Sequence, residues 1–212
     1  MWRLPLPALL LCCSALAAPT AAAADAARGA TLYAPCAACH GAQALGNPAL
    51  QAPALAGQDA GYLARQLRNF RAGTRGATDG DTAGATMRSQ IAPLPDDAAI
   101  DDVAAWLASL PAPRAAAVDG ALLRNGSNYY QSKCGACHGA RAEGNPALFA
   151  PRLAGLDAGY LARQYRNFAA GLRGTDPADR YGRQMRLMAT ALPAETDLRD
   201  VLGFIASQSQ QE

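Results

Sequence analysis

The sequence predicts an all-α protein built from two similar helical domains in tandem, related by internal duplication. Adding 98 to a residue number maps the first half of the chain on the second almost without a gap. Apolar residues in each half recur at helical spacing, and no stretch shows the alternation of a convincing strand. A repeat of this length indicates a duplicated domain rather than a solenoid. We expect the first domain over 25–111, a linker over 112–120 and the second domain over 121–212.

The first segment, residues 1–24, has the pattern of a secretory signal peptide. Arg3 supplies a positive charge, residues 4–16 are apolar, and Ala22 to Ala24 form a cleavage site of the A-x-A kind. A membrane anchor is the alternative, but the apolar stretch is short for a bilayer span of about 20 residues. We therefore expect an exported chain whose signal is cleaved and whose mature part is soluble in the periplasm.

Each domain is expected to hold three helices joined by irregular loops. In the first domain they run over about 26–36, over 60–72 and after Pro95; in the second they run over about 122–134, over 158–170 and after Pro193. Asp59 is expected to cap the first middle helix and Gly73 to end it. The Gly-rich stretch 73–84 is predicted to be a surface loop.

The last helix of each domain has one apolar face. Apolar residues fall at i, i+3, i+4 and i+7 in both copies: Ile100, Val103, Ala104 and Leu107, then Leu198, Val201, Leu202 and Ile205. Domains this small bury limited apolar surface, and a flat apolar prosthetic group would extend the core.

Two C-x-x-C-H motifs carry the chemistry. The first consists of Cys36, Cys39 and His40, and the second of Cys134, Cys137 and His138. This motif attaches a c-type haem: the cysteines form thioethers with the haem and the histidine binds the iron. Two disulfides in an oxidising compartment and a zinc site are the alternatives. A zinc site usually takes four protein ligands, whereas each motif offers only three. The histidine directly after the second cysteine, present in both motifs, favours two haems c.

Methionines are the remaining candidates for the sixth iron ligand. The chain has only two histidines, and the motifs use both. Met87 and Met185 each follow the motif histidine of their half by 47 residues, whereas Met188 aligns with Gln90. We favour Met87 and Met185, with Met188 left open in the second half. A histidine–methionine pair raises the reduction potential and fills both axial positions, which favours electron transfer over oxygen chemistry.

These motifs together resemble a known family. C-x-x-C-H, then Pro-x-Leu-x-Gly, then Tyr-Leu-x-Arg-Gln, then a methionine before a final helix, twice over, is similar to cytochrome c4. The resemblance covers residue 26 to the C-terminus. It implies a periplasmic dihaem electron carrier with two class I cytochrome c domains packed as a pseudo-twofold pair. It also implies that the carbonyls of Pro53 and Pro151 accept the N–H of the ligand histidines. The short spacing before Cys36 departs from the pattern and predicts a shortened opening helix.

Polar residues of the middle helix are repeated between the halves. Tyr62 and Arg65 recur as Tyr160 and Arg163, and Gln66 recurs as Gln164. We expect them to bond haem propionates or to form the contact between the domains. A solvated helix face kept by common ancestry is the alternative.

Charge narrows the possible partners. Nineteen basic and seventeen acidic residues nearly cancel, and no basic run indicates nucleic acid.

We expect an electron-transfer protein, not an enzyme, whose partners are redox proteins: a membrane quinol–cytochrome c oxidoreductase, a terminal oxidase or reductase, or a dehydrogenase. Peripheral membrane association is left open. The alternatives are a dihaem enzyme, peroxidase-like or thiosulfate-oxidising, and a cytochrome subunit of a dehydrogenase complex. The lack of spare histidine and cysteine argues against the enzyme.

Overall fold

The computed structural model describes residues 23–210. Nearly all of the predicted signal peptide, residues 1–24, therefore lies outside the described part of the chain. The predicted all-α architecture is confirmed: over 23–210 there are helices, turns and two isolated β-bridges, but no strand. No helix within those residues is both long enough and apolar enough to span a membrane.

Two helical units of the same design, here called lobe 1 and lobe 2, follow one another along the chain. Lobe 1 holds α1 (Ala26–Leu32), α2 (Ala37–His40), α3 (Ala60–Ala72), α4 (Thr82–Ser89) and α5 (Asp97–Ser109). Lobe 2 holds α6 (Leu123–Lys133), α7 (Gly135–His138), α8 (Ala158–Ala169), α9 (Arg180–Met188) and α10 (Glu195–Gln208). Single 3₁₀ turns lie at Ala34–Cys36, Pro48–Leu50 and Pro146–Leu148.

The first and last helices of each lobe cross at a glycine. A Cβ on Gly29 would collide with the backbone carbonyl of Asp102, and a Cβ on Gly126 would collide with that of Asp200. Only glycine allows α1 to approach α5, and α6 to approach α10, this closely. The predicted apolar faces of the last helices are confirmed as the buried faces of this packing, because all eight of their residues lie in the cores.

The opening helices differ between the lobes. In lobe 1 the predicted single helix over 26–36 is wrong, because α1 ends at Leu32 and a 3₁₀ turn containing Pro35 follows it. Proline cannot donate a backbone hydrogen bond and so breaks the helical ladder. In lobe 2, α6 continues unbroken to Lys133. The shortened opening helix expected in lobe 1 is confirmed.

The Gly-rich stretch 73–84 is not simply a surface loop, and that prediction is wrong in part. Gly73 does end α3 with a left-handed backbone, and the Asp59 side chain accepts the Tyr62 N–H at 2.7 Å at the start of that helix, as expected. However, α4 already begins at Thr82, inside the stretch. Arg75 near its start is also buried, because it faces the other lobe.

The connection between the lobes is held against both of them. A Cβ on Gly57 would lie 2.7 Å from the Cα of Ala112, and a Cβ on Gly155 would collide with the carbonyl oxygen of Pro113. The connecting chain therefore passes between Gly57 and Gly155, the glycines that end the two Pro-x-Leu-x-Gly motifs. The domain limits 25–111, 112–120 and 121–212 stay a prediction.

Candidate haem sites

Each C-x-x-C-H motif folds into a compact turn. In lobe 1, Cys36 ends the 3₁₀ turn, and Cys39 and His40 lie in the single turn of α2. In lobe 2, α7 holds the equivalent Cys137 and His138. None of the four motif cysteines is paired in a disulfide. Within residues 23–210, no group of three or more His, Cys, Asp or Glu side chains is placed to hold a metal ion by itself.

A proline carbonyl orients each motif histidine. His40 Nδ1 lies 2.8 Å from Pro53 O, and His138 Nδ1 lies 3.0 Å from Pro151 O. A carbonyl can only accept, so Nδ1 carries the proton and Nε2 keeps its lone pair for a metal. Burial lowers the pKa of both histidines and outweighs the opposing effect of these hydrogen bonds, which favours the neutral, ligating form.

A buried tyrosine supports the residue after each histidine. The Tyr33 hydroxyl donates to the Gly41 carbonyl at 2.8 Å, and the Tyr130 hydroxyl donates to the Gly139 carbonyl at 2.7 Å. Both tyrosines are at most 2 % exposed, and each packs against an aromatic ring of the last helix. The turn that carries the histidine is thus fixed from the core side.

A cavity in lobe 1 brings the predicted haem residues together. Its volume is about 280 Å³, and Cys36, Cys39, His40 and Met87 all line it. The rest of its wall is largely apolar and includes Leu55, Leu63, Leu67 and Phe70. An apolar cleft lined by two thiols, a buried imidazole and a thioether fits a covalently attached haem whose iron is bound by histidine and methionine.

In lobe 2 the two candidate methionines lie in different surroundings. Met185 is half-buried on α9, at the place that Met87 occupies on α4. Met188 ends α9 with 42 % of its surface exposed, and its counterpart Gln90 is exposed as well. This placement supports Met185 as the ligand, although the ligand assignments in both lobes stay predictions.

The repeated residues of the middle helices lie at the contact between the lobes. Arg65 donates to the carbonyl of Phe149 at 2.7 Å, and Arg163 donates to the carbonyl of Gln51 at 2.8 Å. Tyr160 and Arg163 of lobe 2 also reach the wall of the lobe 1 cavity. These side chains therefore do not form a purely solvated helix face.

Two buried arginines and two glutamines form a closed ring across the same contact. Gln66 Oε1 accepts from Arg75 and from Arg173, both at 2.8 Å. Gln164 Oε1 accepts from Arg173 at 2.7 Å and from Arg75 at 3.2 Å. Each arginine thus bonds both lobes. None of the ion pairs among residues 23–210 includes either arginine.

Several N–H groups at this contact are buried with no acceptor. They are Nε and Nη1 of Arg65 and Nε of Arg75, Arg163 and Arg173. Burial alone would raise the pKa of Tyr62, but the charges of Arg173, Arg75 and Arg65 outweigh that effect and lower it. A buried set of cationic donors is costly unless anionic acceptors satisfy it. The carboxylates of a haem are acceptors of that kind.

Two further site residues, Arg75 and Arg173, are not among those that the sequence motifs predict. They lie in the stretch interpreted as a surface loop and in its repeat, and their side chains stack over Phe70 and Phe168 at 4.5 and 4.4 Å from the ring centroids. The signal available was the repeat itself, because the Arg-Gly pair recurs at the 98-residue spacing, as do Gly73, Asp81 and Gly84.

Comparisons with known proteins agree with this geometry. The Cytochrome c family model matches residues 26–111 and 123–209. A thiosulfate dehydrogenase electron acceptor of Stutzerimonas stutzeri (strain A1501) is 36 % identical over 187 residues, 84 % of this chain and 80 % of that protein. Cytochrome c4 of Azotobacter vinelandii is 35 % identical over 165 residues, 73 % of this chain and 77 % of that protein.

A solved structure extends the likeness to the whole fold. Reduced recombinant cytochrome c4 from Pseudomonas stutzeri superposes with a TM-score of 0.71 at 30 % identity, over 87 % of this chain and 98 % of that one. The two-lobe arrangement of this chain is therefore similar to that of a known dihaem protein.

Proposed function

We propose a specific role from the premise that this chain belongs to the cytochrome c family, as a two-domain cytochrome of the c4 type that carries two haems c and transfers electrons. In this role it is an exported carrier in the periplasm that takes electrons from a respiratory donor and delivers them to a terminal oxidase or reductase. The observation that carries the proposal is the cavity that Cys36, Cys39, His40 and Met87 line together.

The side chains divide the work in each lobe. Haem c supplies a one-electron ferric–ferrous couple. The cysteine pairs Cys36 with Cys39 and Cys134 with Cys137 would hold it covalently, and His40 and His138 would bind the iron through Nε2. Met87 and Met185 would fill the sixth position. A filled sixth position leaves no open site for a substrate, which suits a carrier rather than an oxygen-activating enzyme.

The arginines at the lobe contact would serve the propionates of both haems. Arg65, Arg75, Arg163 and Arg173 together present five buried N–H groups without an acceptor. Tyr62 and Tyr160 line the same region. Hydrogen bonds between arginines and carboxylates are charge-assisted and stronger than neutral ones. Because the arginines come from both lobes, these bonds would also join the lobes through the haem propionates.

The donor and acceptor are redox proteins. A membrane quinol–cytochrome c oxidoreductase or a dehydrogenase would supply electrons, and a terminal oxidase would take them. Thiosulfate dehydrogenase is a second candidate donor, because a relative that is 36 % identical is named as its electron acceptor.

A haem count with a visible spectrum tests the proposal. We expect two haems that stay with the denatured protein through acid–acetone extraction, with a low-spin spectrum and a weak ferric methionine-to-iron band. The Cys134→Ala, Cys137→Ala double variant should retain one haem in lobe 1. The matched Cys36→Ala, Cys39→Ala variant should retain one in lobe 2.

Two results would count against the proposal. If acid–acetone extracted the haem colour from the denatured protein, the haems would not be covalently attached. Strong carbon monoxide binding by the reduced wild-type protein would show an open iron position and return the dihaem enzyme to consideration.

A further inference from the structure

The helices that carry the predicted methionine ligands present different surfaces to solvent. On α9, Arg180, Arg183 and Leu187 follow one another at i, i+3 and i+7, so they share one exposed face. The equivalent positions of α4 are Thr82, Ala85 and Ser89. Lobe 2 thus has two cations and a large apolar side chain where lobe 1 has only small residues.

The apolar part of this surface includes the most exposed large apolar side chain among residues 23–210. Leu187 is 75 % exposed and Met188, beside it at the helix end, is 42 % exposed. The equivalent residues of lobe 1 are polar, namely Ser89 and Gln90. Nothing in the packing of lobe 2 explains two exposed apolar side chains at these positions, whereas the buried centre of a protein interface favours apolar side chains, Met among them.

The basic part of the surface has no acidic partner, although Arg183 donates to the carbonyl of Pro177 at 3.3 Å and Arg180 lies over the ring of Tyr181. Arg180, Arg183 and Arg186 are exposed, and no ion pair within residues 23–210 includes any of them. The whole lobe shares this sign. Residues 121–212 hold eleven basic and eight acidic side chains, a formal charge of +3, whereas residues 25–111 hold six and eight, a charge of −2.

We infer that the exposed face of α9 is the docking surface for an acidic one-electron redox protein, so that electrons are exchanged with such a partner through lobe 2. This inference rests on the proposed function. The arginines would attract and orient the acidic partner, and Leu187 and Met188 would form the desolvated centre of the contact. Met185, the predicted iron ligand, lies on the same helix.

The exchange at this surface is a simple electron transfer. One electron would leave the reduced centre of the partner, and the haem that Cys134, Cys137 and His138 would hold in lobe 2 would accept it. No bond to the chain forms or breaks, and no group is transferred. The reaction therefore depends on how often and how well the partner docks.

Flavodoxin hydroquinone, an acidic flavoprotein reductant, is the probe. We would follow reduction of the ferric dihaem protein by stopped flow at rising salt concentration. The Arg180→Gln, Arg183→Gln double variant should lower the bimolecular rate by about tenfold at low salt, and the wild-type rate should fall towards it as salt screens the attraction. Arg88→Gln is the control in lobe 1. Arg88 is the counterpart of Arg186 and lies on α4, so this variant should alter the rate less than twofold.

A second pair of variants separates the apolar centre from the charges. Leu187→Ser with Met188→Gln copies lobe 1 and should weaken binding of oxidised flavodoxin, measured by calorimetry, without changing its salt dependence. Thr82→Arg with Ala85→Arg should raise the reduction rate by giving lobe 1 a similar basic face. Unchanged visible spectra would show that each variant keeps its fold and haems.

The outcomes distinguish the two proposals. Equal effects of the α9 and Arg88 variants, or a rate indifferent to salt, would overturn the docking surface. Reduction by neutral reduced riboflavin should be the same in all variants if only docking is changed. Failure of riboflavin to reduce two haems in the wild type would instead overturn the carrier function itself.

Discussion

The same buried aspartate is neutralised in different ways in the two lobes. In lobe 1, Asp102 forms an ion pair with Arg28 at 2.7 Å and accepts the backbone N–H of Asp25 at 2.6 Å. In lobe 2, Asp200 accepts from the side-chain amide of Asn125 at 2.8 Å, and its ion pair with Arg199 is longer, at 3.7 Å. It also accepts the backbone N–H of Leu122 at 2.9 Å. The carboxylate that ties the first helix to the last is kept, while its partner near the surface has changed.

The divergence follows exposure. Contacts at the helix crossings, at the motif histidines and in the arginine–glutamine ring are the same in both lobes. The crossings leave no room for a Cβ, and the histidines and the ring are held by buried hydrogen bonds. Positions that reach solvent, such as Arg28 and the outer face of α9, differ. A duplicated fold thus keeps its packing and becomes specialised at its surface, and four experiments can break or sharpen this comparison.

The largest effect is expected from the methionine ligands. Met185→Leu should turn the haem of lobe 2 into a high-spin form that binds carbon monoxide, because leucine offers no ligand atom. Met87→Leu should do the same to lobe 1, whereas Met188→Leu should leave both haems low-spin. Carbon monoxide difference spectra and near-infrared spectra measure this. If only Met188→Leu opens the second iron, the lobes differ in their ligands and the repeat alignment fails at that point.

The helix crossings should respond alike in both lobes. Gly29→Ala and Gly126→Ala each place a Cβ against a backbone carbonyl, and overpacking typically costs about 1–3 kcal/mol, with more where rigid backbone is in the way. Urea unfolding of the dihaem protein, followed at the aromatic and haem absorption, gives the free energy of unfolding. Gly61→Ala, at an exposed position of α3, is the control and should change it by less than about 1 kcal/mol. Tolerance of either crossing variant would show that the two crossings are not equivalent.

The partners of the buried aspartates should respond unequally. Arg28→Ala leaves the Asp102 carboxylate without its cation and should cost roughly 1–2 kcal/mol, a figure discounted because the Arg28 side chain is 46 % exposed. Asn125→Ala removes a neutral donor from Asp200 and should cost about 1 kcal/mol. Urea unfolding of both variants compares them, with Arg124→Ala as a surface control. A larger loss in lobe 2 would contradict the ranking.

The smallest effect is expected on acidification. Hydrogen bonds from the Leu122 N–H and the Asn125 amide lower the pKa of Asp200. A lowered pKa in the folded state stabilises the protein above the ordinary carboxyl pKa of about 4, and this stabilisation is lost as the pH falls through the folded value. The free energy of unfolding measured from pH 6 to pH 2 should therefore fall less steeply in Asp200→Asn. An identical pH dependence would show that Asp200 does not contribute.

Local patterns predicted the parts of the structure that local forces determine. The bounds of α3 follow from its cap at Asp59 and its glycine stop at Gly73, and the apolar face of α5 follows from helical spacing. The short helix α4 was hidden because Gly84 lowers helix propensity, yet that glycine is buried in the structure. The role of Arg75 was hidden for another reason: its acceptors lie on Gln66 and on Gln164 of the other lobe, and no local pattern indicates how two domains pack.

The reciprocal hydrogen bonds between the lobes have a consequence for assembly. Arg65 bonds the carbonyl of Phe149, and the residues 98 positions away from each of them, Arg163 and Gln51, form the same bond in the opposite direction. Such symmetry defines an isologous interface, the kind that joins two identical subunits of a homodimer. Joining the subunits in one chain replaces a concentration-dependent association by an intramolecular one, with an effective concentration in the millimolar range for a short linker. The pair of redox centres therefore stays together at any dilution.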